Sequence, residues 1–564
     1  MGGDNLMGKS ERSQTSILMQ AFFRFRSWIC ARAGLVTFGA SAVLFAVLLI
    51  PSVWMLSVIP PLWRDIDAYG EVTQPFGPGT ILLYGPLYCF AARIPLYVGY
   101  AIHSLKAGGP LPGLYFFCRP ILTDSGVFTL LISQHLALCC STYYLIISAS
   151  RLFWVRLMLA VAWALNPLFY TFAHTVGSEA LSMVLVLLLG ATGLRIVQSS
   201  REVRRKAWLV FGILLWSCIL TRHINALLAV LLPAAFFFLG TYYFIVLLFT
   251  RTQAFRERRW LNVKSAFKEA TIAVIVAITC VVLANASVRV LCYAARIPYY
   301  STLGLSFLFR LKFLATLPPE KRNELLDEVA KHSSSADVRN VISLLRVSFP
   351  AGISNWDVRD FNHKAKALLF TPQSDPNGDK YPLLLDHVAL EFLYPPNEIF
   401  LKAATADFKR SQEITIPDVV SFLFVTTRFY FSHRDAMPQC ASLVTFRGKD
   451  AADVFAIFKK HSYFRHPKNL GYRAFLFFWL IGLALFLVIA KMRKQEAAGL
   501  ASYAAALTAV GLLMMLANCV LAIFQPRYTL PMLELTIVSM FILFGAMMES
   551  LFPSSRRLCR GGTR

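Results

Sequence analysis

Hydrophobic residues along this chain gather in long unbroken runs, not in the two-residue alternation of strands or the spaced stripes of soluble amphipathic helices. Ten runs stand out: Gly34–Ile59, Ser125–Ala149, Arg156–Phe172, Ser178–Val197, Ala207–Leu220, Ile224–Thr250, Ala270–Leu291, Ala474–Ala490, Ala497–Phe524 and Leu530–Leu551. Most approach the roughly 20 residues that a helix needs to cross a bilayer, and the short Ala207 run can borrow its flanks. The pattern predicts an all-α polytopic membrane protein with about ten transmembrane helices. Gly79–Leu105 is also apolar, but it holds Pro86, Arg93, Pro95 and His103. A central arginine opposes insertion by about 2.5–3.5 kcal/mol. We therefore expect a re-entrant or interfacial pair of helices there.

The block from Ala294 to Tyr472 is a different material, polar and broken by Pro318-Pro319, Pro350, Pro372, Pro376, Pro382 and Pro395-Pro396. It is expected to be an extramembrane domain or long loop, mostly helical, with amphipathic helices over Pro319–Val341 and Asn397–Lys409. The expected order is a cytoplasmic segment 1–33, a transmembrane module 34–293 with a first outer loop 60–122, the outer region 294–472, a transmembrane module 473–551 and a cytoplasmic tail 552–564.

Charge sets the orientation. Basic clusters at Arg201–Lys206, Arg251–Lys268, Lys491–Lys494 and Arg556–Arg560 alternate with the runs, as cytoplasmic loops do. Parity then holds if Gly79–Leu105 does not cross fully. Composition agrees: mean hydropathy is +0.56, 57% of residues are hydrophobic and only 15% are charged, which excludes a soluble domain of this size. The net charge of +25 lies in those short clusters, so no nucleic acid is expected as a partner. The eleven cysteines form no CxxC pair, and thiols such as Cys139, Cys218 and Cys280 read as buried in helices. No cleavable signal peptide is expected ahead of the first run. GxGxxG, GxxxxGK[ST], HExxH and GxSxG are absent. Asp375, Asp379 and Asp386 do not have calcium-loop spacing and read as a solvated turn.

Against this basic background, three acids crowd the loop after the first run, in Trp63-Arg64-Asp65-Ile66-Asp67-Ala68-Tyr69-Gly70-Glu71. Other polar residues mark the ends of runs on the same side: His174 and Glu179, Arg222 and His223, and Arg527 in Gln525-Pro526-Arg527. With "YGPLYCFAARI", "ALNPLFYTFAHTVGSEALSMVLVLL", "ILTRHINALLAVLLP" and "FQPRYTLPMLEL", the order of these pieces resembles the GT-C superfamily of membrane glycosyltransferases. Within it, the chain is most similar to the bacterial dolichyl-phosphate-mannose-protein-mannosyltransferase-like group. The likeness covers roughly 34–250 and 474–551 and leaves 294–472 aside. The chain departs from it in carrying Asp-Ile-Asp where many members have an Asp-Glu pair.

The resemblance implies transfer of a sugar from a polyprenyl-phosphate donor to a lipid, glycan or protein acceptor at the bilayer surface. Such a transfer inverts the sugar and needs one general base. It implies neither a metal nor a cofactor. The site would face the periplasm at a bacterial inner membrane, or the lumen of the ER in a eukaryote. Asp67 and Asp65 are the candidate bases; Asp67 is preferred, because Arg64 is placed to tie up Asp65. Arg527 is the candidate clamp for the lipid phosphate, which suits a guanidinium fork, with Arg222 and His223 a second. Tyr69, Glu71 and Glu179 are candidate substrate contacts. The alternatives are a flippase or transporter of lipid-linked sugars, and a polysaccharide polymerase or ligase.

Overall fold

A computed structural model describes residues 33–198, 201–250, 253–349, 358–371, 373–375, 379–435, 453–465, 470–492, 497–522 and 524–552. The expected cytoplasmic start, the basic tail and the Arg493-Lys494 pair lie outside them. The described chain is almost wholly helical, and its one sheet is a pair of two-residue strands.

The first half runs α1 (Ala33–Val58), β1 (Leu62–Trp63), α2 (Ile66–Thr73), α3 (Pro86–Lys106), α4 (Asp124–Ala149), α5 (Phe153–Ala164), α6 (Pro167–Ala173), β2 (Thr175–Val176), α7 (Ser178–Gln198), α8 (Arg201–Thr221), α9 (Leu231–Leu248) and α10 (Gln253–Ala294). Then come α11 (Leu303–Arg310), α12 (Pro319–His332), α13 (Ala336–Val347), α14 (Val358–Leu369), α15 (Lys380–Leu393), α16 (Glu398–Ser411), α17 (Ile416–Ser432) and α18 (Val454–Lys460). The last three are α19 (Tyr472–Met492), α20 (Ala498–Leu521) and α21 (Leu530–Leu551).

Among the described residues, eight helices are long and apolar enough to cross a membrane, nine if α5 and α6, bent by 65°, count as one span. The bend falls at Asn166-Pro167, where proline cannot continue the ladder and Asn166 caps the new helix by accepting the Leu168 N–H. α8 has only a 14-residue, mostly apolar stretch, Ala207–Leu220, after its basic start. Its Arg204 pairs with Glu269 of α10 at 2.8 Å, while Arg222 follows its far end, about 27 Å away by helix rise. α7 and α21 are the most enclosed spans and form the middle of the bundle. They are apolar on most faces because most of each helix meets protein.

Arg93 is not turned toward lipid. It donates to the carbonyls of Phe117 and, at 2.6 Å, Gln74, with its guanidinium 3.9 Å from the Phe76 ring. α3 therefore has one face on the bundle. Its other face carries the exposed Phe90, Ile94, Val98 and Ile102 at four-residue spacing.

The polar block divides. A second hydrophobic core spans Phe307 to Phe400, whereas α17 and α18 join the main core. The expected helix over Pro319–Val341 is two, α12 and α13, because Ser335 caps a new start by accepting the Val338 N–H. Asp375 and Asp386 are buried, not solvated: Asp375 accepts the amides of Asp379 and Lys380 at 3.1 and 3.2 Å, and Asp386 accepts that of Gly304 at 2.6 Å. Cys139, Cys218 and Cys280 are buried as free thiols.

Gly99 fixes how α3 meets α4. A β-carbon there would lie 2.3 Å from the Ser125 carbonyl oxygen, and backbone cannot yield cheaply. We predict that Gly99→Ala costs about 1–3 kcal/mol and lowers the melting temperature in detergent. Gly39→Ala, with nothing within 4 Å of the added carbon, should lower it not at all.

Candidate functional site

The chain leaves α1 through Ile59-Pro60-Pro61-Leu62. The prolines offer no N–H, so the turn is fastened from outside. The Leu62 N–H donates to the His174 carbonyl at 3.2 Å, and the Arg64 N–H to that of Val176 at 3.3 Å, making the parallel β1–β2 ladder. The His174 side chain grips the same turn, with Nε2 3.1 Å from the Ile59 carbonyl. A carbonyl only accepts, so Nε2 carries the proton and Nδ1 accepts from His135 Nε2 at 3.1 Å. Burial pulls the His174 imidazole down to about 4, against the Ile59 and Pro60 carbonyls, and keeps it neutral. On the far edge of β2, Gln134 Nε2 donates to the carbonyls of Ala173 and Thr175 at 2.9 and 3.1 Å. Tyr88 donates to Gln134 at 3.2 Å and accepts the Gly177 N–H at 2.9 Å.

This framework brings three guanidiniums and three carboxylates together. Arg64 is the hub. Its Nη1 lies 2.8 Å from Glu71 Oε1 and 3.1 Å from Glu179 Oε2, and its Nε and Nη2 lie 3.0 and 2.9 Å from Asp65 Oδ1. Arg527, in the 3₁₀ turn Pro526–Thr529, pairs with Asp65 Oδ2 at 2.7 Å. Glu179 Oε1 sits 3.4 Å from Arg222 and 3.5 Å from Arg527 and makes no hydrogen bond to either. Glu71 is locked by the Ser178 N–H at 3.1 Å and the Ser178 hydroxyl at 3.3 Å.

Asp65 is the N-cap of α2, its side chain accepting the Ala68 N–H at 3.0 Å. Burial raises its carboxyl, but Arg64 and Arg527 outweigh that and hold it well below the usual carboxylate range. Burial pushes the Glu71 carboxyl up to about 7 in spite of Arg64, with Glu179 and Asp65 adding to the rise. Burial thus favours the protonated form of Glu71, opposite to the ionised form that the arginines favour at Asp65.

Asp67 stands in the first turn of α2 and is half-exposed. Tyr84 feels it: burial, then the Asp67 and Glu71 charges, push its phenol up. Tyr69 packs its ring 6.2 Å from that of Trp63. His223 stands apart from the cluster and bonds the Leu82 carbonyl at 2.5 Å. The structure thus gathers Asp65, Glu71, Glu179, Arg222 and Arg527 around Arg64, sets Asp67 and Tyr69 beside them, and gives His223 a backbone partner. Sequence reasoning missed Ser178, Tyr88, Gln134 and His135. An adjacent Gln-His inside an apolar run was the available signal.

Compared with known proteins, the chain matches no family model, no curated protein and no solved structure. No group of three metal-ligating side chains occurs among the described residues.

Glu71 generates a pH test. Its carboxyl is raised in the folded chain, so the folded state holds the proton longer than the unfolded one. Its contribution is present below the unfolded value and is lost as pH rises toward about 7. A glutamine at this position cannot ionise. The melting temperature of Glu71→Gln, measured against the parent chain, should therefore rise from pH 5 to about 7 and level off above that. A pH-independent difference would show that Glu71 keeps an ordinary carboxylate.

Proposed function

We propose that the chain is a membrane glycosyltransferase that moves a sugar from a polyprenyl-phosphate donor to an acceptor hydroxyl. Arg222 and Arg527 converge on one Glu179 oxygen without hydrogen-bonding it, and this observation carries the reading. The Arg527 Nε and the Trp63 indole Nε1 are buried with no hydrogen-bond partner among the described residues. Guanidinium forks left under-used at a bundle end suit a phosphate that arrives with its lipid. Asp65 and Glu179 hold the arginines in place until then.

In the proposed step the acceptor oxygen attacks the anomeric carbon, the bond from that carbon to the phosphate oxygen breaks, and Asp67 takes the acceptor proton. The lipid phosphate leaves as an anion onto Arg527 and Arg222. Asp65 is a poor base because two arginines and a helix cap engage it. Asp67 is the better one, half-exposed at the rim. The same reading has ten spans, counting α8 and the bent α5–α6 pair, with both chain ends cytoplasmic. α3 then lies at the outer interface with its apolar stripe in lipid, and the site opens to the periplasm of a bacterium or the lumen of the ER.

A flippase of lipid-linked sugars is the second reading, and Glu534 favours it. This carboxyl is buried in α21, about 10 Å deeper than Arg527 by helix rise, and its Oε1 has no hydrogen-bond partner among the described residues. Polar groups inside spans often mark transport paths.

Purified protein supplied with a panel of polyprenyl-phosphate sugars and read by thin-layer chromatography separates the two. Asp67→Asn should slow transfer by about 10²–10⁴-fold with donor binding kept. Asp65→Asn should weaken donor binding instead. Arg527→Ala should lose roughly 2–5 kcal/mol of transfer efficiency, with Arg527→Lys in between. If all of these variants transfer sugar as well as the parent chain, the cluster is not a catalytic site and the flippase becomes the better reading.

A further inference from the structure

The ladder that carries Arg64 has two outward edges. Gln134 closes that of β2; that of β1 is closed by a residue of α17, far along the chain. In the parallel pairing, the N–H groups of Leu62 and Arg64 point to β2 and that of Trp63 points outward. It donates to Thr427 Oγ1 at 2.8 Å, and the same hydroxyl lies 3.3 Å from the Trp63 carbonyl and 2.8 Å from that of Leu423. The Leu423 contact is the ordinary back-bond of a helical threonine. The contacts to Trp63 stand in for a third strand. Both residues are fully buried, so water cannot replace the bond, and an orphaned N–H there is costly.

α17 also packs against the 3₁₀ turn Pro526–Thr529 that holds Arg527. One rigid helix thus touches both halves of the Asp65–Arg527 pair. On one side it grips the strand residue that precedes Arg64 and Asp65. On the other it backs the turn that presents the guanidinium. A valine of the same shape would keep the packing and lose the acceptor. We propose that Thr427 is a positioning residue whose hydroxyl sets the register of Arg64 and Asp65 against Arg527.

The geometric part of this stands without the transfer reading; only its kinetic consequence rests on it. Hydrogen exchange of the protein in detergent, read by mass spectrometry, tests the geometry. Thr427→Val should speed exchange about tenfold in peptides covering residues 62–66 and 526–529, the scale of one lost hydrogen bond, and Thr427→Ser should restore it to within about twofold. With a working donor, Thr427→Val should raise its KM about tenfold and leave kcat within about twofold, again rescued by serine. Faster exchange at 62–66 alone would overturn the proposal, because Arg527 would then be held independently. So would a serine variant as impaired as the valine one, which would mark Thr427 as packing only. If the parent chain transfers no sugar from any donor, the transfer reading fails and the exchange result decides this proposal by itself.

Discussion

The burial of Arg64 is the constraint on which this end of the molecule depends. A guanidinium removed from water is tolerated only where its donors find acceptors, and Arg64 finds three carboxylates and a serine hydroxyl on α2 and α7. Meeting that demand forces α2 to start where it does, with Asp65 as its cap. The β1–β2 pairing in turn sets Ser178 and Glu179, just beyond β2, against the same guanidinium. Buried ion networks of this kind often contribute little net stability, since desolvation offsets most of the attraction. They are specific, however: withdrawing one member leaves a buried charge unmatched.

Placement also explains why one set of acids divides its work. Asp65, Glu71 and Glu179 are all within reach of Arg64, yet Asp65 is held ionised by two arginines, while Glu71 sits deep enough that burial outweighs its partner. Asp67, two residues on, belongs to the first turn of α2 and is half-exposed, whereas Asp65 is the extended N-cap of that helix.

Much of the helical layout was legible in the sequence. The apolar runs mark the long helices because the bilayer demands length and uniform apolarity. Asp65 and Asp67 stood out against a basic chain, and Arg222, Glu179 and Arg527 were visible as charges at the ends of runs. Their convergence was not legible: Arg64 meets Glu179 across 115 positions, and no local pattern encodes that. Local signals were also under-read. Ser335 announces a helix start, and Gln134-His135 in an apolar run announces an inward-facing seam. Glu534 passed unnoticed inside a span read as bare of charge, since one acid barely alters the mean hydropathy of its window.

The spacing of the cluster along the chain has a consequence for biosynthesis. Asp65 is made early and Arg527 near the end, and at roughly 5–20 residues per second the interval is about 20–90 s. Throughout that time Asp65 and Glu179 lack the Arg527 partner they have in the finished protein. A chain stopped before Arg527 therefore has the three carboxylates of Asp65, Glu71 and Glu179 but only Arg64 and Arg222 to face them. The last ion pairs of the cluster can therefore close only once synthesis has passed Arg527.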